Sequence, residues 1–247
     1  MQQYRADLHV HTLLSPCGDL EMSPANIVKR AAELELKILG IADHNSTKQA
    51  PLVKKLAEKE GIFTLCGAEV TTKEEVHCLA FFENIETLSE FQKYLDEHLP
   101  DIKNDPKYFG HQVVIDEQEM ILEEISKLLI SGINQSLEQV EQKVHELQGI
   151  FIPAHIDRKK FSLTSQLGFV PPDLKADAFE ISGLTTVKEM IKMFPYLKDK
   201  TFIRSSDAHH IGHLGAGYSI FEMEEPSFTE VKMALSGEEG RRVIING

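Results

Sequence analysis

The sequence has no tryptophan and only three cysteines in 247 residues. Cys17, Cys66 and Cys78 are odd in number and form neither a CxxC pair nor a disulfide framework. That excludes a disulfide-stapled secreted scaffold and points to a reducing compartment. Long apolar runs are missing too: none approaches the roughly 18 residues that a spanning helix needs. The opening residues, Met1 to Asp7, contain no apolar signal core. A cytoplasmic protein with no membrane partner is therefore expected. Positive charge is scarce, with 26 Lys and Arg against 39 Asp and Glu and a formal net charge of −13. An acidic surface repels extended polyanions, which disfavours long nucleic acid as a partner. A small phosphorylated molecule held in a local pocket remains compatible with that charge. Internal repeats and low-complexity segments are absent as well.

What the chain does have is an alternation of short apolar runs with helical patterns. Residues 5–10, 38–42, 62–66, 76–82, 149–154, 178–181, 201–204 and 243–245 read as strands. Ser23-Pro24 predicts a helix start, with Ser as cap and Pro in the first helical position. Further helices are expected near 48–60, 87–99 and 227–236. Pro100, Pro106 and Gly110 make 100–115 a loop, and 116–147 reads as two helices broken near Gly132. The order predicts an α/β fold with a mostly parallel sheet. The stretch 84–148 carries little chemistry and reads as a mostly helical insertion into a single domain spanning 1–247.

The chemistry sits where the predicted strands end. His9 and His11 are two residues apart on a strand, so both imidazoles point to one face and can grip one ion. Asp43-His44 closes the strand 38–42. Glu69 follows an apolar run, and a carboxylate buried there needs a partner or a metal. His77 lies within an apolar strand, His155 ends another, and Asp207 and His209 repeat the two-residue spacing. Each of these taken singly is ordinary, since a lone histidine is more often a satisfied core residue than a ligand. Together they mark successive strand ends with good metal ligands. Strands delivering ligands to one point imply closure into a barrel, with the site at the carboxyl ends of the strands.

At these residues the sequence resembles the PHP family (polymerase and histidinol phosphatase), in its stand-alone metal-dependent phosphoesterase branch. The resemblance rests on Asp7-Leu8-His9-Val10-His11-Thr12, Ala42-Asp43-His44-Asn45, Gly67-Ala68-Glu69-Val70, Val76-His77, Pro153-Ala154-His155 and Ser206-Asp207-Ala208-His209-His210. It implies a distorted barrel of seven β/α units binding two to three divalent ions, zinc, manganese or iron rather than magnesium. It also implies a division of ligands. His9, His11, Glu69 and Asp207 would hold one ion, and Glu69 would bridge to a second completed by His77 and His155. His44 and His209 would hold a third, with Asp43 orienting its neighbour from outside. The remaining ligand to that third ion falls in the loop after His11, where Cys17 and Asp19 are both candidates.

Such a site activates a water for attack on phosphorus by lowering its pKa. A cation beside the phosphate would assist. Arg158 and Lys159, just past His155, and Arg204, just before Asp207, are candidates for substrate contact. Glu69, Asp207 and Arg158 are the expected catalytic residues. The expected function is hydrolysis of a small phosphomonoester or nucleotide. The alternatives are a 5′–3′ exonuclease on short RNA or DNA, a non-catalytic metal-stabilised scaffold, and an amidohydrolase on a similar barrel. An exonuclease should show a basic groove, and here only Arg158-Lys159-Lys160 is offered. A scaffold should have lost ligands, and an amidohydrolase usually uses a lysine bridge where Glu69 stands. His98, His111 and His145 read as surface residues of the insertion, whereas His210 and His213 lie near the site in sequence.

Overall fold

The computed structural model describes residues 1–245. Strand β1 (Gln2–Val10) begins exposed and is fully buried from Ala6 onward. Helix α1 (Pro24–Glu33) starts as expected: the Ser23 hydroxyl accepts the Asn26 N–H and Pro24 opens the first turn. Strand β2 (Ile38–His44), helix α2 (Ala50–Lys59), β3 (Phe63–Thr71) and β4 (His77–Phe82) follow. Next come α3 (Ile85–His98), α4 (Pro106–Phe109), β5 (Val113–Ile115), β6 (Ile121–Glu124), α5 (Leu137–Glu146) and β7 (Ile150–Pro153). The chain ends with α6 (Leu163–Gln166), β8 (Phe179–Glu180), α7 (Val187–Met193), β9 (Phe202–Ile203), β10 (Ser219–Met223), α8 (Phe228–Ser236) and β11 (Arg242–Ile245).

Seven of these strands make one curled sheet in the order β11-β10-β1-β2-β3-β4-β7. Strands β1, β2 and β3 are parallel neighbours. Strand β4 runs antiparallel to both β3 and β7, and β10 is antiparallel to β1 and β11. The sheet is therefore mixed rather than mostly parallel. The cause is local: a tight turn closed by Thr72 N–H to the Val76 carbonyl joins β3 to β4. A parallel pair needs a crossover of a dozen or more residues, so β4 can only turn back. His77 accordingly opens β4 instead of ending a strand. It pairs with Thr71, which keeps it at the carboxyl end of β3.

Strands β8 and β9 form a short parallel pair. Asp177 N–H to the Phe151 carbonyl and Ile156 N–H to the Glu180 carbonyl tie that pair to β7. A parallel bridge between Val10 and Ala208 sets the Asp207–His209 segment against the end of β1. The central strands are buried on both faces. Ala6, Leu8, Ile38, Leu65, Leu79 and Ile152 pack on one side, and Leu39, Ile41, Ala68 and Ala80 meet the helices on the other. This explains why β2 reads as a continuous apolar run with no alternation.

The region between β4 and β7 differs from expectation. The expected loop over 100–115 contains α4 and β5, and the helices expected over 116–147 reduce to α5 preceded by a β5–β6 hairpin. Local side-chain bonding decides it. The Asp116 carboxylate accepts the N–H groups of Gln118 and Met120 and turns the chain. Gln112 is fully buried, accepts the Leu129 N–H and donates to the carbonyls of Ile125 and Lys127. These groups are thereby unavailable to a helix ladder. Gln49 pairs with the backbone of Ile115, and Asn45 donates to the carbonyls of Leu129 and Ser131. The region is thus docked on the loop that follows His44. No helix among the described residues is long and apolar enough to cross a membrane.

Candidate metal centre

The ends of β1, β2, β3 and β7, the start of β4 and the loop after β9 converge on one buried cluster of imidazoles and carboxylates. The Nε2 atoms of His9 and His11 face each other at 3.2 Å. Asp207 Oδ1 lies 3.3 Å from His9 Nε2 and 3.2 Å from His11 Nε2. Glu69 is at the centre. Its Oε1 is 3.2 Å from His9 Nε2, 2.8 Å from His77 Nδ1 and 3.2 Å from His155 Nε2. Its Oε2 is 3.4 Å from His11 Nε2 and 3.1 Å from His44 Nδ1. Three sets bring their ligand atoms within 4.8 Å of one another: His9, His11, Glu69 and Asp207; His44, Glu69 and His77; and His11, His44 and His209. The first is the set that the family resemblance implies. The second has His44 where His155 was expected, and the third adds His11.

Surrounding groups fix these side chains. His9 Nδ1 lies 3.0 and 3.2 Å from the two oxygens of Glu180. Glu180 also accepts the His155 N–H, so one carboxylate positions two histidines. Sequence reasoning missed it. The available signal was a carboxylate ending the apolar run Ala178-Phe179-Glu180, the same signal that marked Glu69. His11 Nδ1 is 3.0 Å from the Ser15 hydroxyl. Asp43 accepts from the Thr12 N–H and from the hydroxyls of Thr12 and Ser15, and Ser15 Oγ in turn accepts the His44 N–H. Asp7 plays a matching part on the other side, accepting from Ser206 and from the Gly215 N–H. Three residues of the site carry backbone strain. Asn45 (φ 45), His155 (φ 29) and Asp207 (φ 52) all take left-handed conformations that non-glycine residues adopt only under constraint.

The electrostatics follow from burial and proximity. Burial alone would raise the Glu69 pKa, but His77, His9 and His44 hold it well below the usual carboxylate range. Asp207 is likewise held low against its burial by His9 and His11. Burial would lower the His9 pKa, yet Asp207, Glu180 and Glu69 keep it well above the ordinary value. His11, raised against burial by Asp207 and Glu69, reaches about 9. Burial pushes His44 well down, and burial with the nearby His11 takes His209 down to about 4. Both shifts favour the neutral imidazole, the form that can ligate.

The remaining candidates divide. Cys17 is exposed with a free thiol. Desolvation and the Glu69 and Asp207 carboxylates push that thiol's pKa up, and none of the three donor sets includes its sulfur. Asp19 is turned to its own loop, where its carboxylate accepts the Glu21 N–H, with His210 4.0 Å away. The structure does not bring Asp19 into the cluster. Arg158, half-buried, pairs its guanidinium with Asp207 Oδ2. The Arg204 guanidinium donates to the Thr185 carbonyl. The histidines read as surface residues also lie apart: His98 bonds the Tyr94 carbonyl, His111 faces Glu124 and His145 faces Asp177.

The donor set fits divalent ions. His44 Nδ1, both ring nitrogens of His77, His155 Nδ1 and Asp207 Oδ1 are buried without a hydrogen-bond partner. Buried polar atoms left unpaired are costly and rare. His77 Nδ1 and His44 Nδ1 stand close to Glu69 yet form no hydrogen bond with it. Lone pairs that converge without bonding one another are what a cation would hold together. Imidazoles mixed with carboxylates suit zinc, iron or manganese.

A curled α/β sheet carrying such a cluster at one end defines a class of metal-site proteins. Within it this chain belongs to the PHP family, whose domain model matches residues 7–156. The chain is 25% identical to the YqxK protein of Bacillus subtilis, an alignment covering all of this chain and 65% of YqxK. Among solved structures it is similar to the lesion-specific endonuclease EndoQ of Pyrococcus furiosus, with a TM-score of 0.71 and 22% identity over 98% of this chain and 58% of that one. It is also similar to a candidate metal-dependent phosphoesterase of Bifidobacterium adolescentis, at TM-score 0.60 and 20% identity, covering 94% of this chain and 96% of that one. At these identities the structural likenesses speak to the fold. This chain spans less than two thirds of both YqxK and EndoQ.

Proposed function

We propose that this protein hydrolyses a phosphoric ester of a small molecule, a phosphomonoester or nucleotide, with two to three divalent ions. The observation that carries this reading is Glu69, a buried carboxylate with the imidazoles of His9, His11, His44, His77 and His155 all within 3.4 Å. One carboxylate serving several histidine sets is suited to bridging ions. His9, His11, Glu69 and Asp207 would hold one ion; Glu69 with His77 and His155 or His44 a second; and His44 and His209, with His11 or Cys17, a third. When bound, the ions supply Lewis acidity toward phosphate oxygens and acidify a water. The chain's own residues do the rest. Glu180 holds His9 and the backbone of His155 in place, and Asp43 fixes the Thr12–Ser15 turn against His44. Arg158, next to Asp207, offers a planar pair of donors to a phosphate. The curl of the sheet, continued through β8 and β9, is read as the family's distorted seven-unit barrel, and the region between β4 and β7 as an insertion into it.

The test is elemental analysis of chelator-free protein together with a screen of phosphorylated metabolites in the presence of manganese. At least two ions per chain and turnover of a small phosphoester are expected. Less than one ion, with no binding on titration, would overturn the reading. A second reading, nuclease activity on short DNA or RNA, is favoured by one observation: EndoQ matches nearly the whole of this chain. Including short oligonucleotides in the screen separates the two.

A further inference from the structure

His77 is set apart in that both of its ring nitrogens lack a hydrogen-bond partner, whereas His44 and His155 each leave only Nδ1 so. His9 is held by Glu180, His11 by Ser15 and His209 by the Asp207 carbonyl. Both His77 nitrogens are buried and unpartnered. Metal-ligating histidines almost always have an outer partner that fixes the ring. What touches His77 instead is Phe161. The two rings stack with centroids 4.7 Å apart and planes 12° from parallel. The Phe161 carbonyl accepts the His77 N–H, so the same residue holds both ring and backbone. Phe161 does this from a left-handed conformation (φ 56), which is unfavourable for a bulky residue. Its position is set by the loop leaving β7: the Ser162 hydroxyl donates to the Arg158 carbonyl, and Arg158 reaches Asp207.

We propose that Phe161 is the positioning residue for His77, its stacked ring replacing the missing outer hydrogen bond and aiming His77 at the ion shared with Glu69. The strain at Phe161 is the cost of placing an aromatic face over that imidazole. The loop that carries it also carries His155 and Arg158, so one strained turn sets a ligand, a ligand's orientation and a phosphate contact. The proposal rests on the reading of His77 as a ligand.

The experiment is calorimetric titration of metal-free protein with Zn²⁺, for wild type and for Phe161→Ala, Phe161→Tyr, Phe161→Gly and His77→Ala, with melting curves of each metal-free variant. Losing an outer partner of a metal-ligating histidine costs about 10- to 100-fold in affinity. Phe161→Ala should weaken one ion by that factor and leave the others near wild type. Phe161→Tyr, which keeps the stacking face, should restore binding. Phe161→Gly relieves the backbone strain, so it should melt no lower than Phe161→Ala yet bind Zn²⁺ no better. The proposal is overturned if Phe161→Ala binds every ion as wild type does. It is also overturned if all ions weaken together with the melting temperature and Phe161→Gly recovers both. His77→Ala separates this from the metal reading. If it loses no ion, the ligand assignment fails; if it loses one and Phe161→Ala does not, only the positioning role fails.

Discussion

At the scale of single residues, Glu69, Glu180 and Arg158 make distinct demands. Glu69→Gln keeps the shape of the side chain but halves its capacity to ligate and removes its charge. Activity on the best substrate should fall to near background while the far-ultraviolet circular dichroism stays native; turnover close to wild type would show that another group bridges. Glu180 acts one step removed, through His9. Glu180→Gln should weaken metal binding by about 10- to 100-fold, the usual cost of losing an outer carboxylate, and equilibrium dialysis with Zn²⁺ would reveal it. Arg158→Ala removes a charge-assisted contact worth about 1.5–3 kcal/mol, or roughly 10- to 100-fold in kcat/KM. Its pairing with Asp207 means that the guanidinium already sits at the rim of the cluster. An unchanged kcat/KM in that variant would remove it from the phosphate pocket. The residues of the buried cluster were readable because imidazole and carboxylate at strand ends carry a chemical signature. Glu180 was not read, because a two-residue strand gives almost no periodicity to mark its end. Phe161 was not, because stacking leaves no trace in spacing.

At the scale of elements, close strand approach and buried polar anchors decide what tolerates change. Gly67 lies on β3 two residues before Glu69, and a Cβ there would come within 1.9 Å of the Ala80 carbonyl oxygen on β4. Only glycine lets the two strands pack at this point. Gly67→Ala should therefore cost more than the roughly 1–3 kcal/mol of ordinary overpacking, because the obstacle is backbone rather than a movable side chain. The expected result is loss of cooperative melting, with loss of metal binding as its consequence; a melting temperature equal to wild type would contradict the packing argument. Most of the sheet was legible, since β1, β2, β3, β4 and β7 are compact apolar runs. The antiparallel course of β4 was not, although the short 72–76 segment already forbade a parallel crossover. The β5–β6 hairpin was hidden for another reason: its adjacent Ile121-Leu122 and Glu123-Glu124 show no strand alternation and suit a helix surface equally well. The tertiary anchors Gln112, Gln49 and Asn45 settled it, and no local pattern reveals them.

At the scale of the whole molecule, charge couples folding, metal and substrate. In the metal-free protein His11 has a pKa of about 9, above its ordinary 6.5. A raised folded value stabilises the folded form below pH 6.5, and this contribution disappears as pH rises through about 9. Metal-free protein should thus lose stability across that window as far as this group is concerned. An ion needs the same imidazole deprotonated, so ion affinity should rise with pH over the same range and binding should release protons. Titrations in buffers of different ionisation enthalpy would show the release; affinity independent of pH would contradict the raised value. The formal net charge of −13 also bears on the choice between a small phosphoester and a nucleic acid. A protein that grips several phosphates of a DNA strand releases counterions, so its affinity falls steeply with salt. An acidic protein acting on one phosphate has no such release, and added salt instead screens its repulsion of a polyanion. Between about 50 and 200 mM salt, kcat/KM on a mononucleotide should stay nearly flat, and on a short oligonucleotide it should stay level or rise, whereas a protein making 6–10 phosphate contacts would lose roughly 10³- to 10⁵-fold in affinity. A steep fall on the oligonucleotide alone would mean that a cationic track outweighs the net charge, and the nuclease reading would then replace the small-molecule one.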